Sequence, residues 1–406
     1  MKEDRVGNKI LIITARFKPL NTTGSDRPYY WYKHLPSYGK SPIVICQDWG
    51  KIDEDVQNVI QVKLRRKAWR SFVSNKFIHK IYKQFAPFLD PWLLSDGEDE
   101  LINTARNLLK EEKGISTIIT TAGPFSLLHV GYRVKQEFPH LKWISDFRDD
   151  WSSNDLMYVP IPGVTQINRS FKRYLERKWV GKADAFTTVS ELYKKKISFV
   201  LKQKVPGFAL PNGYDFIKPD SFERGHDAVH FSYTGNIYEN QAFEETIQAI
   251  SETAAQFPDI KTRLYFVGSL RKISPKRVSS LQSISDYIEV VFKDRMKREE
   301  LDAFNQKMDV FALTAYGDLK GIPSSKLYYF LSFMKPIFLF PSDHDVIEKT
   351  TEYCGVRIKD LTPLYESKRD KNPFKLKSID PIKVAEFSRE VTVKSLNSII
   401  DQLCAS

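Results

Sequence analysis

Short apolar runs alternate with amphipathic stretches along most of the chain. Lys9 to Thr14, Pro42 to Gln47, Ser116 to Thr121, Lys142 to Asp146 and Ala183 to Val189 read as strands. Between them, Tyr29 to Tyr38, Asp99 to Lys110, the stretch through Val134 to Phe138, and Ser170 to Trp179 carry helical spacing. Phe208 to Leu210 is followed by Pro211-Asn212-Gly213-Tyr214-Asp215, and a polar linker runs from Lys218 to Asp227. The alternation then resumes, with strands at His230 to Thr234, Thr262 to Gly268, Ile288 to Phe292 and Asp309 to Leu313, and a long helix at Glu239 to Gln256. Strands separated by helices predict an α/β chain of doubly wound type.

One stretch organises the second half. Gly321-Ile322-Pro323-Ser324-Ser325-Lys326-Leu327-Tyr328-Tyr329-Phe330-Leu331 passes from a Gly-Pro turn through two hydroxyl residues into an apolar pattern about one helix long. Lys335 and Pro336 then precede a strand-like run to Phe340. A loop opening a helix leaves backbone N–H groups that an anion can accept; an ordinary helix cap is the other reading.

With 406 residues, the chain suits two domains: 1–210, 211–382, and a terminal helical segment 383–406 that crosses back onto the first. The net charge of +12 favours an anionic partner. From Val56 to Leu89 there is no acidic residue, while Lys63, Arg65, Arg66, Lys67, Arg70, Lys76, Lys80 and Lys83 interleave with Trp69, Phe72, Val73, Phe77, Ile81 and Phe85. Residues 63–85 therefore read as a basic amphipathic segment, either resting on anionic lipid or packed on its own domain. Charge without a binding module argues against a nucleic-acid role. The first apolar run is too short for a signal peptide, and no apolar stretch spans a bilayer. Cys46, Cys354 and Cys404 lack metal spacing. A cytoplasmic protein is expected, peripheral on the inner face of the membrane if the basic segment meets lipid. Oligomeric state is not fixed by the sequence.

Two further passages carry chemistry. Thr120-Thr121-Ala122-Gly123-Pro124 leads into a helix bearing His129, and Asp146-Phe147-Arg148-Asp149-Asp150-Trp151 ends the next strand. Ligands of open α/β sheets sit beyond the strands' carboxyl ends, where both loops fall. His129 can donate to a sugar hydroxyl or a backbone oxygen; Arg148 can pair with Asp146, Asp149 or a phosphate; and either aspartate can serve as a cap or ion-pair partner. Gly24, Ser25 and Arg27 follow the first strand in a polar loop, and Gly235-Asn236 ends the strand at His230 to Thr234.

These passages resemble family 4 of the retaining glycosyltransferases. The matching residues are Lys326, Leu327, Tyr328, Leu331, Lys335 and Pro336 in the second half, and Thr120, Pro124, His129, Asp146, Phe147, Arg148, Asp149 and Trp151 in the first. The resemblance implies the GT-B architecture, two Rossmann-like domains facing across a cleft, the first for the acceptor and the second for a nucleotide sugar. It implies sugar transfer to a hydroxyl of a glycan or lipid-linked glycan, with retention and without a metal. It also implies catalytic positions at His129, Asp146, Arg148 and Asp149. Donor contacts are implied at Gly24, Ser25, Arg27, Gly235, Asn236, Pro323, Ser324, Ser325, Lys326 and Tyr329. Two departures stand out. Tyr329 occupies the place of the glutamate that accepts the donor ribose, and the Arg and Lys that usually follow the glycine at 235 are missing. Lys293, Arg295, Lys297 and Arg298 are candidates to replace those cations. A non-catalytic glycan-binding or partner subunit, and a nucleotide-sugar epimerase, are the competing readings.

Overall fold

The computed structural model describes residues 8–20, 22–53, 56–64, 98–154, 158, 163–218, 225–270 and 273–405. Most of the basic stretch at 63–85 lies outside them. The chain divides into two compact units, Met1–Pro211 with Thr392–Ser406, and Asn212–Val391.

Unit one contains β1 Lys9–Thr14, α1 Thr23–His34, β2 Ser41–Gln47, β3 Val59–Val62, α2 Glu98–Glu111, β4 Ile115–Ala122, α3 Leu127–Glu137, β5 Lys142–Phe147, α4 Val164–Val180, β6 Ala185–Thr188, α5 Glu191–Val200 and β7 Gly207–Ala209. Its strands form a parallel sheet ordered β3-β2-β1-β4-β5-β6-β7. The apolar run of β1 is buried because both sheet faces are covered. Ile10 and Ile12 face Trp31 and Leu35, whereas Leu11 and Ile13 face Leu101 and Ile102 of α2 and Leu127 and Val130 of α3.

Unit two contains β8 Ala228–Thr234, α6 Phe243–Ala254, β9 Lys261–Val267, α7 Pro275–Gln282, β10 Glu289–Lys293, α8 Arg298–Gln306, β11 Val310–Leu313, α9 Ser325–Leu331, β12 Ile337–Leu339, α10 Val346–Tyr353, β13 Arg357–Ile358, α11 Thr362–Arg369 and α12 Pro381–Ala385. The parallel order is β10-β9-β8-β11-β12-β13. A last helix, α13 Arg389–Ala405, begins in unit two and places Val393, Leu396, Ile399 and Ile400 in the core beside Ile10 and Ile12.

Local chemistry moves several boundaries away from the sequence reading. The Ser25 Oγ accepts the Thr22 N–H at 3.2 Å, so α1 starts at Thr23 and residues 24–27 are helical instead of loop. Helix α6 starts at Phe243, later than the periodicity suggests, because side chains hold the preceding residues open. Gln241 Oε1 accepts from the Tyr238 N–H at 3.0 Å, while Arg277 donates to the carbonyls of Tyr238 (3.0 Å) and Gln241 (2.6 Å). Strands β3 and β13 are short and escape the apolar-run criterion.

The Asn212-Gly213-Tyr214-Asp215 turn also has a structural purpose. Gly213 has φ of 66°, and a Cβ there would lie 2.8 Å from the Phe387 carbonyl oxygen. Tyr214 donates from its N–H to that carbonyl at 3.1 Å, and Arg389 pairs with Asp215 at 2.5 Å. The chain entering unit two is thereby tied to the chain leaving it.

Candidate functional site

In unit two, sites form where β8 and β11 lie side by side and their connections leave in opposite directions. Gly235 ends β8 with φ of 95°, a left-handed conformation that glycine adopts without steric cost. A Cβ at this position would come within 2.9 Å of Lys326 Cε, so the missing side chain lets the lysine lie across the loop. Gly268 repeats the arrangement after β9, with φ of 84°.

Lys326 sits in the first turn of α9, whose start is fixed by Ser324. The Ser324 Oγ accepts the Lys326 N–H at 3.3 Å and the Tyr316 hydroxyl at 3.2 Å. The ammonium lies 5.1 Å from the Tyr233 ring centre and 5.7 Å from that of Tyr238. Among the described residues no carboxylate pairs with it, and burial pushes it down to about 8. A half-buried cation with only π faces for company is an electrostatic deficit that an anion would satisfy. Pro323 and Ser324 are buried beside it, Ser325 is exposed, and Asn236 is half-buried with its carbonyl accepting the Tyr233 hydroxyl at 2.7 Å.

Tyr329 is placed differently. Its hydroxyl donates to Asp302 Oδ1 at 2.7 Å and accepts from Asn305 Nδ2 at 3.1 Å, and Arg298 lies 4.3 Å from its ring centre. Burial, then Asp302, raises its phenol. This residue braces α9 against α8. Tyr329→Phe is expected to lower stability by about 1–2 kcal/mol, because the buried Asn305 amide loses its acceptor. Nucleotide affinity should stay within about twofold, which calorimetry and urea unfolding together would check. Lys335 is likewise structural, donating to the carbonyls of Asn305, Gln306 and Met308 at the end of α8. The Asp343-His344-Asp345 cluster caps α10 and holds Gly321 through Asp345 Oδ2 at 2.6 Å. No group of three or more acidic, His or Cys side chains suited to a metal occurs among the described residues.

In unit one the corresponding place lies between β1 and β4. Here Arg148 is enclosed by two glycines: a Cβ would lie 2.5 Å from its Nη1 at Gly24 and 1.9 Å from its Nη2 at Gly123. Its Nε donates to the Ala122 carbonyl at 3.2 Å. Burial lowers its pKa, with Asp146 opposing, and the next residue, Asp149, is exposed. Gly123→Ala is expected to destabilise unit one by about 2 kcal/mol or more, since φ of 144° disfavours a side chain and Arg148 occupies its space. Tryptophan fluorescence during urea unfolding would measure it.

Arg27 and Asp146, two of the expected ligand contacts, are engaged with each other. The Arg27 Nη2 and Asp146 Oδ1 are 2.9 Å apart with side-chain exposures of 4% and 0%, and the same carboxylate oxygen accepts the Thr187 hydroxyl at 2.7 Å. Arg27 also donates to the Leu210 carbonyl at 2.8 Å. Fully buried Ser25 faces the Thr22 and Leu20 carbonyls. These three side chains hold α1 in place and have little left to offer a ligand.

His129 lies in the first turn of α3, with Nδ1 3.2 Å from Glu98 Oε2 and its ring 5.0 Å from that of Trp179. Trp179 stacks on Trp151, which stacks on Phe125. Glu98, Gly123, Gly268 and the tyrosines around Lys326 went unassigned in the sequence reading. Gly123 and Gly268 follow strands and were visible in principle; the tyrosines are scattered, and only folding joins them.

No protein-family model matches the chain, and no curated protein matches it in sequence. Solved structures do. The chain is similar over 98% of its length to the N-terminal domain of trehalose-6-phosphate phosphatase from Candida albicans (TM-score 0.66, 12% identity, 97% of that chain). It is similar over 98% to a glycosyltransferase from Rickettsia africae (TM-score 0.58, 12% identity, 98% of that chain). It is also similar over 97% to HepE from Anabaena, solved with UDP and glucose (TM-score 0.57, 11% identity, 99% of that chain).

The chain has the GT-B fold. Identities this low establish the GT-B architecture of two Rossmann-like domains and nothing finer. Within it, Lys326 lies at the switch point of the second domain, and the enclosed Arg148 lies at that of the first.

Proposed function

We propose that this GT-B protein is a glycosyltransferase that moves a sugar from a nucleotide-activated donor to a hydroxyl of a glycan or lipid-linked glycan, with retention and without a required metal. The observation that carries the reading is the half-buried Lys326 ammonium beside Gly235, which has no carboxylate partner among the described residues. Transfer from such a donor develops negative charge on the departing diphosphate, and a fixed cation in a partly dry site stabilises it. Gly235 and Asn236 line the approach, with Pro323, Ser324 and Ser325 shaping the start of α9. On the acceptor side, exposed Asp149 beside Arg148, and His129 held by Glu98, supply hydrogen-bonding groups for sugar hydroxyls. Retention, metal independence and a lipid-linked acceptor rest on the family resemblance and the basic run at 63–85.

A second reading, a non-catalytic glycan-binding or partner subunit, is favoured by one observation: the Tyr329 hydroxyl, standing where the resembled family has its ribose-binding glutamate, is occupied by Asp302 and Asn305. Calorimetry against UDP, GDP, ADP and TDP and their sugars selects between the two. Selective binding, followed by acceptor-dependent release of the nucleotide, supports the transferase. Glycan binding with no nucleotide binding supports the subunit.

A further inference from the structure

Four basic residues, Lys293, Arg295, Lys297 and Arg298, lie between β10 and the start of α8, and the fold gives them different work. Lys293 lies 5.8 Å from the ring centres of Tyr265 and Phe304. Arg298 pairs with Asp302 at 3.4 Å and covers Tyr329. Lys297 is exposed at the cap of α8. Arg295 is exposed and makes no ion pair or hydrogen bond among the described residues.

Its position is the informative part. A Cβ built on Gly268 would lie 3.8 Å from Arg295 Cα, 3.9 Å from its Cβ and 4.0 Å from Gly235 Cα. The loops after β8, β9 and β10 therefore meet at two left-handed glycines, with Lys326 crossing Gly235 on one side and Arg295 beside Gly268 on the other. Neither glycine has a side chain to fill the space where these loops meet.

We propose that Arg295 is the second phosphate-binding cation of this site, so that a diphosphate group is held between its guanidinium and the Lys326 ammonium. This rests on the nucleotide-donor reading and replaces the Arg and Lys missing after Gly235 with a cation from another loop. A diphosphate carries more charge than one ammonium neutralises. The planar guanidinium can hold two phosphate oxygens at once, whereas lysine acts as a point charge.

Calorimetry with nucleoside diphosphates, the matching monophosphates and inorganic pyrophosphate tests the assignment on wild type, Arg295→Ala, Arg295→Lys and, as a neighbouring control, Lys297→Ala. Arg295→Ala should weaken the preferred diphosphate roughly 10- to 100-fold and the monophosphate much less, with Arg295→Lys recovering part of the loss and Lys297→Ala within about twofold of wild type. Circular dichroism would establish that each variant is folded. Diphosphate affinity unchanged in folded Arg295→Ala, in a protein that Lys326→Ala weakens, overturns the assignment and leaves the donor reading standing. Pyrophosphate binding that needs both cations, without any nucleotide binding, supports the assignment and removes the donor reading. Failure to bind any phosphate compound overturns both.

Discussion

Lys326→Met is expected to make the protein more stable and nearly unable to bind nucleotide. Burial, with no carboxylate paired to it among the described residues, depresses the ammonium to about 8, so its charged form destabilises the native state. Replacing it with an apolar chain of similar length should raise stability by about 1–3 kcal/mol near neutral pH. The same change removes a charged donor to phosphate and should weaken nucleotide binding roughly 100-fold. A residue serving only the fold would lower stability and leave binding alone, so the opposite signs are diagnostic.

The pH dependence follows from the direction of the shift. Below about 8 the free protein carries the cation, and affinity should be flat; above it a proton must be taken up on binding, and affinity should fall by up to about tenfold per unit. For stability, the native lysine loses its proton near 8 and the unfolded one only near the ordinary lysine value of 10.5. Between those values the unfolded state binds more protons, so native stability rises with pH and the advantage of Lys326→Met shrinks. Calorimetry and urea unfolding monitored by circular dichroism across this range would check both trends. A wild type whose affinity does not change through pH 8 to 10 would remove Lys326 from the site.

The second large effect is expected at the Arg27–Asp146 pair. Removing either partner leaves a charge in a site with almost no solvent access, and Arg27→Met or Asp146→Asn should each cost unit one about 3–5 kcal/mol. The pair also organises neighbours: Asp146 at the end of β5 accepts from Thr187 of β6, and Arg27 of α1 donates to the carbonyl after β7 and lies 5.0 Å from the Trp31 ring centre. Combining Arg27→Met with Asp146→Leu should cost less than the two single losses added together, because no charge is then stranded. All seven tryptophans fall within unit one, so their fluorescence in urea follows that unit alone. A single substitution that left its midpoint unchanged and abolished only ligand binding would return the pair to a functional role.

The alternation of apolar runs and helical stretches was enough to establish two doubly wound domains. Strands such as Lys9–Thr14 and Ala228–Thr234 are buried on both faces, and that leaves a local signature. The loop-helix character around Lys326 was equally legible, since Ser324 caps its own helix. Sequence could not say which charged residues find partners. Arg27, Asp146 and Tyr329 all looked available, and each meets its partner through groups distant in the chain, at separations such as 119 residues for Arg27 and Asp146. Whether a charge is neutralised or left unpaired depends on the side chains brought against it, and for Lys326 and Arg295 only the tertiary structure decided that.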